Sequence, residues 1–183
     1  MKTMTRSGIE EAGEEDGVTA ILAPEAILRS IHHFKTGLLF QCPWDIPRTI
    51  EKVAAKTLNP ILEGLYRIGV GCQILDDMVD FAADIEARKH NYLVSLVHHG
   101  ESRVEKKRLA DAMASKRGRR DEGAMLVTRF PEALLHARQR SHRLLADGLE
   151  ALFDREHHML VDPAIRFLEH RIGVAQLTDG TYS

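Results

Sequence analysis

Along most of the chain apolar residues recur at spacings of three and four, and strict alternation is absent, which predicts helices rather than strands. The pattern sets in at Pro24. A first helix is expected from Pro24 to about Phe40, with the proline in its opening turn and Ile27, Ile31, Phe34 and Leu38 along one face. Cys42-Pro43-Trp44-Asp45-Ile46-Pro47 ends it, and a short helix over about 48–57 follows. Asn59-Pro60 then reads as the cap and first residue of a long helix that no further proline interrupts before about Arg88. At 1.5 Å per residue that helix is about 40 Å long. It carries Gly64, Gly69 and Gly71. Each costs about 1 kcal/mol against alanine, so another backbone or a ligand is expected to come close there.

A turn is expected near His98-His99-Gly100, a helix over about 101–116, and a loop from Lys116 to Gly123. A helix from Pro131 to Phe153 carries Ala133, Leu134, Ala137, Leu144, Leu145, Leu149 and Leu152 at helical spacing, and a last helix covers about 163–176. The expected fold class is therefore all-α, a helical bundle forming one domain over 21–183 with no internal repeat. Residues 1–20, with Glu10, Glu11, Glu14, Glu15, Asp16 and few apolar positions, read as a flexible acidic N-terminal segment.

Composition narrows the function classes. A content of 44% hydrophobic and 28% charged residues over 183 positions describes a chain with a substantial core. The net charge of -2 gives no basic field, so no nucleic-acid partner is expected, and Lys116-Arg117-Gly118-Arg119-Arg120 reads as a solvated loop. Cys42 and Cys72 show no CxxC spacing, which argues against a disulfide framework and a structural zinc site. No apolar run approaches the roughly 18 to 20 residues of a membrane span. A cytoplasmic protein without a transmembrane segment is the expectation.

The candidate chemistry lies in the long helix. At helical spacing Gln73, Asp76, Asp77, Asp80 and Asp84 share one broad face, flanked by Ile74, Leu75, Met78, Val79 and Phe81. Like charges four residues apart cost about 0.2 to 0.5 kcal/mol per pair in an isolated helix, so such a stripe beside an apolar surface calls for compensating positive charge. Lysine or arginine neighbours or divalent cations supply it. Carboxylates are hard ligands suited to Mg2+, which takes one or two of them and completes its shell with water and phosphate. A solvated acidic face is the bland alternative; the Q-x-x-D-D-x-x-D-x-x-x-D spacing in a glycine-punctuated apolar helix favours metal.

Gly71-Cys72-Gln73-Ile74-Leu75-Asp76-Asp77-Met78-Val79-Asp80-Phe81-Ala82-Ala83-Asp84 resembles the second aspartate-rich motif of the trans-polyprenyl diphosphate synthases, a family with the isoprenoid synthase fold. Phe34-Lys35-Thr36-Gly37-Leu38-Leu39 resembles that family's KT element, and the 38 residues from Lys35 to Gln73 match its usual separation. The resemblance implies Mg2+ held by Asp76, Asp77, Asp80 and Asp84, and a diphosphate contact at Lys35. It makes Thr36 and Gln73 catalytic polar supports near the reacting carbons. In place of the family's GK-x-x-G-x-D loop stands Ala87-Arg88-Lys89-His90-Asn91-Tyr92-Leu93, so Arg88 and Lys89 become the further diphosphate-binding residues. The implied substrates are prenyl diphosphates and the implied reaction is prenyl transfer.

The resemblance spans about residues 24–175 and covers only the C-terminal portion of a typical synthase. The first DDxxD motif is absent from the 75 residues before Asp76, and the Glu10 to Asp16 cluster, in a polar glycine-containing stretch, is no substitute. Turnover therefore requires that motif from elsewhere, by homo-oligomerisation or by association with another synthase chain. Two alternatives stand beside this: a non-catalytic small subunit or truncated remnant acting as a helical interaction protein, and a squalene or phytoene synthase-like head-to-head condensing enzyme, which the basic residues before Tyr92-Leu93 also resemble. The pairs His32-His33, His98-His99 and His157-His158 read as structural or surface residues, because adjacent helical histidines point about 100° apart and chelate one ion poorly.

Overall fold

A computed structural model describes residues 17–44, 49–50, 54–114 and 126–179. These form helices and connecting turns, with no strand among the described residues, as the hydrophobic spacing requires. The acidic cluster at 10–16, the basic run at 116–120 and residues 48 and 51–53 of the short helix expected at 48–57 lie outside them; of that helix 49–50 are helical, 54 is extended, and 55–57 belong to the long helix that follows.

The first helix, α1, is continuous but not uniform: Pro24–Ala26 and Leu38–Gln41 are α-helical, while Ile27–Gly37 winds with wider π-type turns. The Leu38 N–H accordingly bonds back to the His33 carbonyl, five residues away. Ile27, Leu28 and Ile31 are buried on its inner face. A 3-10 turn, Cys42–Trp44, ends it.

The central helix α2, Ala55–Val79, starts earlier and ends earlier than its sequence suggests. Asn59 is not its cap; the extended residue is Ala54, and Pro60 lies inside the second turn. Proline there removes only one intrahelical bond near an end where donors are in surplus, and the buried Leu58 anchors the added turn. At the other end Asp80 takes φ -83° and ψ 3°, breaking the expected 60–88 helix into α2 and α3, Phe81–Ala87. Arg88, at φ 53°, stops α3 in the left-handed region.

Helix α4, Tyr92–His99, takes in His98 and His99, where the sequence predicts a turn. Asn91 caps it, its side-chain oxygen accepting from the Leu93 and Val94 N–H groups. An Asn followed by Tyr-Leu-Val-x-Leu-Val is a helix-start signal. Next come α5 (Arg103–Ala114), α6 (Pro131–Leu152), a 3-10 stretch Arg155–Leu160, α7 (Val161–Ile172) and α8 (Val174–Asp179). The buried carboxylate of Glu105 on α5 accepts from the Glu132 and Ala133 N–H groups at 2.8 and 3.3 Å, capping α6 from a neighbouring helix.

Glycines set how closely α2 meets its partners. A Cβ on Gly64 would lie 2.8 Å from the Gly148 carbonyl oxygen on α6, and one on Gly69 would lie 2.8 Å from the Thr36 oxygen on α1. At Gly71 it would meet Leu145 at 2.9 Å, and there the Ser141 hydroxyl donates to the Gly71 carbonyl. The close approach foreseen at these positions is thus by neighbouring helices. Ile74, Leu75, Met78, Leu93, Ala137, Leu145 and Ile165 fill the space between, and Phe81 meets Phe130 edge to face at 5.1 Å. Residues 17–22, which span the end of the segment read as flexible, are tied to this core: Val18 N–H donates to the Arg88 carbonyl, Ser95 Oγ to Leu22 O, and His99 Nε2 bonds Ile21 O.

Candidate functional site

The acidic stripe divides into an inner and an outer layer. Asp77 points inward and is 3% exposed. Its Oδ2 bonds His32 Nε2 at 2.9 Å and accepts the Tyr92 N–H at 2.6 Å, while Oδ1 accepts Gln73 Nε2 at 3.1 Å. The buried charge is satisfied by donors from three elements, which is the condition for tolerating a carboxylate in a core. Both oxygens are thereby committed within the protein. Asp77, expected from the sequence as a metal ligand on a shared face, is placed as the anchor joining α1, α2 and α4.

Asp76, Asp80 and Asp84 form the outer layer. Asp76 and Asp80 are exposed at the end of α2, and Asp84 is half-buried on α3. Across the break the Asp84 N–H still bonds the Asp80 carbonyl at 2.8 Å, and Asp80 acts electrostatically on both Asp76 and Asp84. Desolvation raises the Asp76 carboxyl above its ordinary range; Asp80 and Asp77 raise it further, and Lys35 and the Gln73 amide pull it down. Asp84 is pushed up to about 6, chiefly by burial and then by Asp77 and Asp80, against the opposing Asn91 hydrogen bond and Lys35. Lys35, half-buried on α1, is therefore close enough to act on both carboxylates. The two sequence elements, 38 residues apart, meet in space.

The remaining candidates are less directly placed. Gln73, 3% exposed, shares its amide between Asp77 Oδ1 and Asp76 Oδ2, the latter at 3.3 Å, and so links the layers. The Thr36 hydroxyl turns back to its own helix and donates to the His32 carbonyl at 3.3 Å. Arg88 and Lys89 are exposed on the turn after α3, where the Lys89 N–H donates to the Asp84 carbonyl. The histidine pairs are split: His32 is buried on Asp77 and His33 Nδ1 shares a 3.0 Å hydrogen bond with the Tyr66 hydroxyl, whereas His98, His99, His157 and His158 are exposed. His32 and Asn91 are the two residues of this region that motif spacing did not single out. A buried histidine three residues before Lys35 carries no period of its own, but the cap signal at Asn91 was available.

Two carboxylates of the outer layer are held by protein donors, Asp76 through Gln73 and Asp84 through Asn91. That is the kind of support that orients metal-ligating carboxylates. Among the described residues no group of three or more His, Cys, Asp or Glu side chains is placed to hold a metal ion. The donor set suits an ion that takes one or two carboxylates and keeps positions for water and phosphate, as Mg2+ does. Comparison of the chain with known protein families, curated proteins and solved structures finds no match.

Proposed function

We propose that this chain binds the diphosphate of a prenyl diphosphate in a Mg2+-dependent manner. With a second acidic motif supplied by another polypeptide or chain segment, it takes part in prenyl transfer. The observation that carries the reading is that Lys35 on α1 acts electrostatically on Asp76 and Asp84 on the two sides of the α2–α3 break, over a buried layer of Gln73, Asp77 and Asn91. One cation and a set of supported carboxylates at the end of an apolar helix suit a ligand whose negative charge is shared between metal and protein. One or two carboxylates of the set Asp76, Asp80 and Asp84 would hold Mg2+, with water and phosphate completing its shell, and the ion when bound would neutralise charge on the departing diphosphate. Lys35 contacts the diphosphate oxygens directly. Gln73 holds the Asp76 carboxylate in place, and the apolar walls of α2 exclude water from the hydrocarbon side.

The test is calorimetric titration of geranyl diphosphate and of inorganic diphosphate with and without MgCl2. Binding is expected only with Mg2+, and Asp76→Ala with Asp80→Ala abolishes it. Equal binding without metal, or binding untouched in the double variant, rejects the reading. Prenyl transfer by the chain alone would show that no second motif is required.

A further inference from the structure

The turn between α3 and α4 contains a side chain that does more than cap a helix. Asn91 is 2% exposed. Its oxygen accepts the Leu93 and Val94 N–H groups at 2.9 and 3.1 Å, and its Nδ2 donates to the Asp77 main-chain carbonyl at 2.6 Å and to Asp84 Oδ2 at 2.8 Å. A carboxamide has two donor hydrogens and one oxygen with two acceptor sites, so every hydrogen-bonding position is used. The orientation of the amide is also fixed. Turned by 180°, it would aim its NH2 at two N–H groups and its oxygen at two oxygens, and all four contacts would become repulsive.

We propose that Asn91 is the positioning residue of the carboxylate site. It ties Asp84 to the last turn of α2, so that Asp84 stays in one frame with Asp76 and Asp80 across the break. What the carboxylates bind rests on the Mg2+–diphosphate reading above; what orients Asp84 rests on hydrogen-bond geometry alone. The break at Asp80 leaves α3 a short element of 7 residues joined to α2 through a non-helical residue. Asn91 makes the single side-chain hydrogen bond to the Asp84 carboxylate among the described residues. No other side chain fills this role: Asp lacks the donors and sets a like charge beside Asp84, Ser has one donor on a shorter stem, and Gln is a methylene too long.

Ser and Asp are both good N-cap residues, so they separate capping from positioning. Inorganic diphosphate is titrated in saturating MgCl2 into wild type, Asn91→Ser and Asn91→Asp, with thermal melts in parallel. The expected result is two folded variants whose affinity is lower by roughly 10- to 100-fold, the usual cost of removing a group that orients a metal ligand. In an Asp84→Asn background the same change at position 91 adds little further loss. Wild-type affinity in both variants overturns the positioning role and leaves the functional reading intact. Absence of Mg2+-dependent binding in the wild type instead overturns both. The wild type gives a second measurement that no folding defect can confuse: the Asn91 side-chain amide 1H–15N signals shift on addition of Mg2+ and diphosphate, and signals that stay in place while diphosphate binds reject the proposal.

Discussion

Asp84→Asn should stabilise the metal-free protein, and by an amount that depends on pH. The replacement keeps the volume and an oxygen to accept the Asn91 donor, and it deletes only the charge. The carboxyl is pushed from its ordinary 3.8 to about 6, mainly by burial. A shift of that size corresponds to on the order of 3 kcal/mol of native-state cost once the group is ionised. The sign follows from proton binding. A raised carboxyl means that the folded state holds more protons than the unfolded state between about pH 4 and 6, so stability falls as pH rises through that window and stays lower above it. The variant lacks that loss. Its advantage should be near zero below pH 4, about half its full size at pH 5, and complete at pH 8. For a chain of this length about 1 kcal/mol moves the midpoint by roughly 2–4 °C, so the gain at pH 8 should reach several degrees. Circular-dichroism melts in EDTA from pH 4 to 8 measure it. A variant less stable than wild type at pH 8, or a difference that ignores pH, would refute the account of Asp84.

The inner carboxylate should behave in the opposite way. Asp77→Ala strands His32, Gln73 and the Tyr92 N–H and should cost about 3–5 kcal/mol, read by urea denaturation, whereas Asp80→Ala at the exposed rim should stay within about 0.5 kcal/mol. Gly148→Ala would place a Cβ 2.7 Å from both the Gly64 oxygen and Ile68 Cγ1, and overpacking of that kind costs about 1–3 kcal/mol; an unchanged melting point would show that the α2–α6 seam is looser than described. Glu105→Ala removes the acceptor for two N–H groups of α6, a cap loss of about 0.5–2 kcal/mol visible in the same melts. Finally, Mg2+ with inorganic diphosphate at 100 times its dissociation constant should add about 2.7 kcal/mol to wild type and nothing to the Asp76→Ala, Asp80→Ala variant.

The sequence by itself determined the helical class, the extent of α6, the glycines where something comes close to the long helix, and the acidic stripe. Each is a local property: hydrophobic period, missing side chains, and charge at i and i+4 are written in consecutive residues. Tertiary structure decided where α2 starts and stops, because a buried Leu58 outweighs one proline, and because the bend at Asp80 sets Asp84 on a separate helix. It also decided which aspartate is which. Asp76 and Asp77 are neighbours in sequence, yet about 100° of helix rotation sends one to solvent and the other to His32 and Tyr92. No pattern within the stripe can say which donors come from α1 and α4. That information lies in long-range packing, and it separates the anchoring carboxylate from those of the outer layer.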